Sequence, residues 1–187
     1  MPDRPDLPAP PPRDPHVDLL DDARLAEAVR ERAEARLRRQ VDVDAATLAG
    51  TLRDLAERGA PVSIDTTAGR RHRGQLVGLA ADHLVLLAAG ARVLVRLDAV
   101  AVVRPRPGSG GDVAAGDRGA GVDLLLTEAL ARLAADRPTV VAVPAGAEPV
   151  RGILLAVGGD VVTLRPDGTT GLAYLPTATL VEVAVEP

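Results

Sequence analysis

Few residues of this chain could act as nucleophiles, bases or metal ligands. Its 187 residues include no cysteine and no lysine, only Ser63 and Ser109 as serines, and three histidines, His16, His72 and His83. The missing residues exclude thiolate chemistry, Schiff-base chemistry and a Walker A phosphate site. Neither serine lies in a Gly-x-Ser-x-Gly context, and the histidines are too widely spaced for a zinc motif. We therefore predict a protein that is not an enzyme and that uses no metal, no cofactor and no small-molecule substrate.

Arginines are the residues best able to bind a ligand. Residues 61–106 contain seven arginines against three aspartates, whereas residues 139–187 contain two arginines against five acidic residues. Arginines clustered in a hairpin can contact phosphate groups. The candidate nucleic-acid-binding residues are Arg70, Arg71, Arg73, Arg92 and Arg96.

Other features of the composition argue against a nucleic-acid partner. The formal net charge is −4, the isoelectric point is about 5.4, and residues 61–106 contain no aromatic side chain. Single-stranded nucleic acid normally stacks its bases on aromatic rings, and none is present there. The basic segment could equally face an acidic surface of a neighbouring unit. Nucleic acid therefore remains the alternative partner, behind a second copy of the chain or another protein.

Three segments have the apolar spacing of amphipathic helices. Residues 17–40 begin with aspartates and end with arginines, which is the order that the helix dipole favours. A second helix is predicted from Asp44, as its N-cap, to Arg58, with Gly59 and Pro61 ending it. A third is predicted over about residues 123–136.

Strand-like alternation follows the second and third helices. Residues 61–103 contain five short runs rich in Val, Leu and Ile, separated by turn residues, and a similar series reaches the C-terminus after Pro138. The Gly-rich segment 107–121 has the composition of a flexible linker. Residues 1–16 include seven prolines and no periodicity, which predicts a disordered tail.

The two halves can be aligned at a fixed offset of 78 residues. Without a gap, the offset matches Arg73-Gly74 to Arg151-Gly152, Leu76 to Leu154 and Leu97 to Leu175. It also matches the helical leucines Leu48, Leu52 and Leu55 to Leu126, Leu130 and Leu133. So many matches predict a duplicated helix-plus-five-strand unit, with about two extra residues in the second copy after Leu175.

This pattern resembles the Sm-like (LSm) variety of SH3-type β-barrel. The resemblance rests on GQLVGLAADHLVLL after Arg73 and GILLAVGGDVVTLR after Arg151, and it covers about residues 44–104 and 123–185. It implies that Gly74 and Gly152 relieve crowding where the second strand of each barrel bends. The family's uridine-binding residues are not matched. Barrels of the PRC and ribosome-maturation type fit nearly as well.

We therefore predict an α+β protein with an N-terminal helix and two tandem helix-and-five-stranded SH3/Sm-like barrel units. The predicted parts are a tail (1–16), an amphipathic helix (17–40), a first unit (44–106), a linker (107–121) and a second unit (122–187). Because small barrels leave strand edges that must be paired, we predict a non-enzymatic, self-associating scaffold or interaction protein. The alternative is a regulator that binds RNA or another nucleic acid. Without a signal peptide or an apolar span, we expect a bacterial cytoplasmic protein away from membranes.

Overall fold

The computed structural model describes residues 27, 29–36, 47–107 and 122–187. The chain divides into two compact units, Met1–Asp44 and Ala45–Pro187. In the first unit, residues 29–36 form helix α1. The predicted tail and nearly all of the predicted linker lie outside the described residues.

Helix α2, Leu48–Glu57, and helix α3, Leu126–Ala134, are short and amphipathic. The N-cap of α2 is Thr47, whose hydroxyl accepts the Gly50 N–H at 3.0 Å, so this helix begins later than the Asp44 cap predicted from the sequence. Gly59 follows the helix with a φ of +56°, a conformation that glycine adopts without strain. The predicted apolar faces are confirmed in part, because Leu52, Leu55 and Leu130 are buried whereas Leu48 is 48% exposed.

Ten strands make up most of the second unit. The first half of this unit (residues 47–107) contains β1 Pro61–Thr66, β2 Arg71–Leu79, β3 His83–Ala88, β4 Ala91–Arg96 and β5 Val100–Pro105. Its second half (residues 122–187) contains β6 Thr139–Pro144, β7 Val150–Val157, β8 Val161–Pro166, β9 Ala173–Pro176 and β10 Leu180–Val185. Short 3-10 turns, Leu97–Ala99 and Thr177–Thr179, precede β5 and β10.

The predicted fold class is wrong. All ten strands belong to one antiparallel sheet in the order β5-β1-β2-β3-β4-β10-β6-β7-β8-β9. Over the residues that the structure describes, the protein is a β-rich fold with three short helices, and it does not consist of an N-terminal helix followed by two five-stranded barrels. The physical reason is that β4 and β10 hydrogen-bond to each other, so the sheet continues from one half into the other. Apolar alternation predicts which face of a strand is buried, but backbone groups at a strand edge accept any partner.

Two glycines allow neighbouring strands to approach closely. A Cβ atom on Gly74 would lie 2.2 Å from the Leu87 carbonyl oxygen, and one on Gly152 would lie 2.1 Å from the Arg165 carbonyl oxygen. Any side chain at these positions would therefore collide with the backbone of β3 or β8. The two glycines do relieve crowding, but between paired strands of one sheet and not at the bend of a barrel.

Apolar side chains gather in two cores, one in each half. The first-half core includes Leu52, Ile64 and Leu76, and the second-half core includes Leu130 and Leu154. Leu76 and Leu154 are fully buried. The helices thus pack on the strands of their own halves.

The extra residues of the second half lie in a different place from the one predicted. Leu175 is opposite Val162 across β8 and β9, as Val95 is opposite Leu84 across β3 and β4. Leu175 therefore occupies the position in the second half that Val95 occupies in the first half. The predicted match of Leu175 to Leu97 is wrong. The longer turn between β8 and β9 contains the two additional residues.

Candidate interaction surfaces

The junction between the halves is the pairing of β4 with β10. Val183 is opposite Leu94, and Glu182 is opposite Val95. Leu94 lies on a first-half strand but belongs to the second-half core, whereas Ala184 of β10 packs against the first-half core. The two strands exchange side chains, so the junction is a packed interface as well as a hydrogen-bonded one.

A buried carboxylate lies at this junction. The Glu182 side chain is 1% exposed, and its Oε2 lies 2.8 Å from Nε2 of His72. Its Oε1 lies 2.7 Å from Nε of Arg70, within ion-pair distance. A charge removed from water needs such partners, and both of them come from the first half. The only signal in the sequence is one acidic residue within the apolar run LVEVAV, and the sequence analysis missed it.

The turn between β2 and β3 holds the start of helix α3. Asp82 Oδ1 accepts the Leu126 N–H at 2.8 Å and contacts Nδ1 of the buried His83 at 3.0 Å. The Ala81 N–H donates to the Leu124 carbonyl at 3.3 Å. A first-half carboxylate therefore caps the helix of the second half, where it complements the partial positive charge of the helix N-terminus.

The two ends of the sheet are β5 and β9, and both expose apolar side chains. Val102 on β5 and Leu172 and Tyr174 at β9 are among the exposed large hydrophobic residues. Tyr174, the single tyrosine of the chain, is 65% exposed. A strand at a sheet edge presents unpaired N–H and C=O groups, which another strand can bind. These edges are the candidate docking surfaces.

The predicted basic site does not form one free cluster. Arg70 is bound to Glu182, Arg71 to Asp65, and Arg96 to Asp98. The guanidinium groups of Arg71 and then Arg104 hold the pKa of Asp65 well below its usual range. Three of the five candidate arginines therefore face carboxylates, which reduces the positive charge that they could offer to a phosphate.

Arg73 is placed differently from its neighbours. It lines an open groove of about 660 Å³ together with Ser63, Arg104 and Arg106. Arg92, the remaining candidate, lies on β4 opposite Val185. Arg73 and Arg92 thus have different surroundings from those of Arg70, Arg71 and Arg96, and nucleic-acid binding stays a prediction.

The residues considered for catalysis are engaged in the sheet. Ser63 lies on β1 opposite Arg73, His72 contacts Glu182 and His83 contacts Asp82, while His16 and Ser109 lie outside the described residues. Within the described ranges, no three His, Asp or Glu side chains lie together in a way that could hold a metal ion. No helix in the described part of the chain is long and apolar enough to cross a membrane.

Comparison of the chain with protein-family models and with curated proteins found no match. The resemblance to Sm-like proteins therefore stays a prediction.

Proposed function

We propose that this protein is a non-enzymatic scaffold that assembles with copies of itself, by pairing β9 of one copy with β5 of the next. The observation that carries the proposal is the apolar exposure of both sheet ends. The β4–β10 junction within the chain serves as a template for the proposed contact between β9 of one copy and β5 of another.

The template follows from equivalent pairings in the two halves. Val103 is opposite Ile64 across β1 and β5, as Val183 is opposite Ala142 across β6 and β10. Val103 therefore corresponds to Val183, and β5 corresponds to β10.

The other edge corresponds in the same way. Tyr174 is opposite Thr163 across β8 and β9, as Leu94 is opposite Val85 across β3 and β4. Tyr174 therefore corresponds to Leu94, which is only 4% exposed because β10 and the second half cover it.

Repeating the internal junction between two copies would place Tyr174 of one opposite Val103 of the other. Burial of a large apolar side chain contributes about 1.5–3 kcal/mol, and the paired strands would satisfy each other's backbone groups. Because the two edges differ, the contact is head-to-tail, and each copy keeps one edge for a further copy. Such assembly produces closed rings or open chains.

Charge distinguishes this contact from the internal junction. Val102 is opposite Asp65 across β1 and β5, and Glu182 is opposite Val143 across β6 and β10. Because Asp65 and Val143 are matched by the offset of 78 residues, Val102 corresponds to Glu182. At the offset of 78 residues, Arg70 corresponds to Glu148. A β5 edge in place of β10 would leave Arg70 without its carboxylate. The β5 edge of a second copy therefore cannot replace β10 beside β4 without leaving Arg70 unpaired. This charge difference disfavours an exchange of β10 for β5 at the internal junction.

Edge-blocking variants test the proposal. Sedimentation velocity over a wide concentration range should show oligomers of the wild-type chain. Tyr174→Glu should block the β9 edge and Val102→Glu the β5 edge, each giving monomers. The matched control is Val77→Glu, because Val77 is an exposed apolar residue of the interior strand β2.

Mixing the two blocked variants tests the direction of pairing. Each retains the edge that the other has lost, so an equimolar mixture should form a dimer and nothing larger. A wild-type chain that stays monomeric at high concentration would overturn the proposal. So would a mixture that stays monomeric although both variants are folded by circular dichroism.

A further inference from the structure

The turn between β7 and β8 has the same local structure as the turn that holds helix α3. The Asp82 carbonyl accepts the Leu97 N–H at 2.9 Å, and the Asp160 carbonyl accepts the Thr177 N–H at 2.8 Å. Each aspartate thus precedes a strand and binds the residue that begins the 3-10 turn of its own half. Asp160 therefore occupies the backbone position of Asp82.

The two carboxylates differ in what they bind. Asp82 accepts the Leu126 N–H, whereas Asp160 is exposed and has no partner among the described residues. The Asp82 contact shows that a carboxylate at this position can accept the first N–H of the helix in the adjoining half. In the described structure, no adjoining half lies beyond Asp160, because β9 is the end of the sheet.

The start of helix α2 has the complementary vacancy. The Thr47 hydroxyl accepts the Gly50 N–H, and the Leu48 N–H has no hydrogen-bond partner among the described residues. Leu48 corresponds to Leu126, whose N–H is the one bound by Asp82. The Leu48 side chain is 48% exposed, whereas that of Leu126 is 3% exposed.

The apolar side chains at these positions also differ between the two halves: they are buried at the internal junction and exposed at their counterparts. Leu94 and Leu126 lie in one core, so the β4 side chain and the first helical leucine share the same buried surroundings. Their counterparts, Tyr174 and Leu48, are both exposed. The unbound carboxylate of Asp160 and the exposed side chains of Tyr174 and Leu48 therefore correspond to three residues that make contacts at the internal junction. Those residues are Asp82, Leu94 and Leu126.

From these correspondences we infer that Asp160 of one copy caps helix α2 of a second copy, while Tyr174 of the first copy covers the Leu48 side chain. The partner is a second copy of this chain, and the inference rests on the proposed edge pairing. The Asp160 carboxylate accepts the Leu48 N–H and complements the positive end of the helix dipole. Thr47 retains the Gly50 N–H, so the two caps do not compete.

Two substitutions at Asp160 test the cap. Asp160→Ala should weaken assembly roughly 2- to 30-fold, the range expected for loss of a helix cap. Asp160→Asn should keep most of the affinity, because an asparagine oxygen also caps helices. Asp136→Ala is the matched control, since Asp136 is exposed near the C-terminal end of α3 and loses the same charge. Its dissociation constant should equal that of the wild type.

Thermal unfolding of the monomer separates the inference from a folding defect. In the Tyr174→Glu background, Asp160→Ala should leave the melting temperature unchanged, whereas Asp82→Ala should lower it because that cap is internal. A double-mutant cycle of Leu48→Ala with Tyr174→Ala, measured on assembly, should show coupling between the two side chains.

The outcomes are distinguishable from failure of the proposed function. A monomeric wild-type chain would overturn both proposals. An oligomer whose affinity is insensitive to Asp160→Ala, or in which Leu48 and Tyr174 are not coupled, would overturn the cap and leave the edge pairing standing.

Discussion

The Glu182 carboxylate and the His72 imidazole lie 2.8 Å apart, although 110 residues separate them in the chain. The contact joins the last strand of the second half to the second strand of the first half. Together with the Arg70–Glu182 ion pair, it joins the two halves through a buried carboxylate, in addition to the hydrogen bonds between β4 and β10.

Replacing Glu182 should loosen this junction. Glu182→Gln leaves Arg70 and His72 without their carboxylate, and we expect a loss of roughly 3 kcal/mol in the free energy of unfolding, as for other broken buried pairs. Urea denaturation measures the loss. Glu148→Gln, at an exposed glutamate, should change the free energy by less than about 0.5 kcal/mol. Equal effects of the two substitutions would contradict the buried role of Glu182.

A methyl group at Gly74 should be poorly tolerated. Its Cβ would lie 2.2 Å from the Leu87 carbonyl oxygen, so strands β2 and β3 would have to separate. We expect Gly74→Ala to cost about 1–3 kcal/mol, the usual range for overpacking. Gly78→Ala is the control, because the nearest heavy atom to its Cβ would be 3.8 Å away on the same pair of strands. Similar urea midpoints for the two variants would show that the close approach is not required.

Acid should weaken the fold partly through Asp65. Hydrogen bonds from Arg71 and Arg104 keep the pKa of this carboxyl below its ordinary value of 3.8 in the folded chain. The unfolded chain therefore binds the proton first, and the stabilisation, complete above the ordinary pKa, is lost as the pH falls through the folded value. Asp65→Asn should flatten the decline in unfolding free energy below about pH 4. Asp136→Asn should preserve the wild-type slope, and an identical slope for both variants would contradict the assignment.

The arginines of the β1–β2 hairpin, Arg70, Arg71 and Arg73, distinguish the two partner classes. Changing Arg70, Arg71 and Arg73 together to Gln should leave RNA affinity at its background level and lower thermal stability, because Glu182 loses Arg70 and Asp65 loses one of its two arginines. Filter binding at two salt concentrations and thermal unfolding provide the measurements. Arg73→Gln alone should leave stability unchanged. A strong loss of RNA binding, with the salt dependence reduced by about 0.7 per phosphate contact, would favour the nucleic-acid alternative.

Local structure could be predicted because it depends on neighbouring residues. The leucines of α2 and α3 recur at helical spacing, and their buried faces follow from it. The alternating runs that start at Pro61 and Thr139 likewise correspond to observed strands, and Gly74 and Gly152 lie where crowding was expected.

The tertiary structure decided which edges meet. Nothing in ARVLVR or LVEVAV specifies that β4 pairs with β10, because backbone hydrogen bonds carry no side-chain identity. That pairing converts two expected barrels into one sheet, and it alone makes Glu182 a buried partner of Arg70 and His72. The sequence by itself determined the helices, the strands and their buried faces through local periodicity. The order of the sheet, its ionic junction and its two exposed ends arise from contacts between residues far apart in the chain, which local periodicity does not encode.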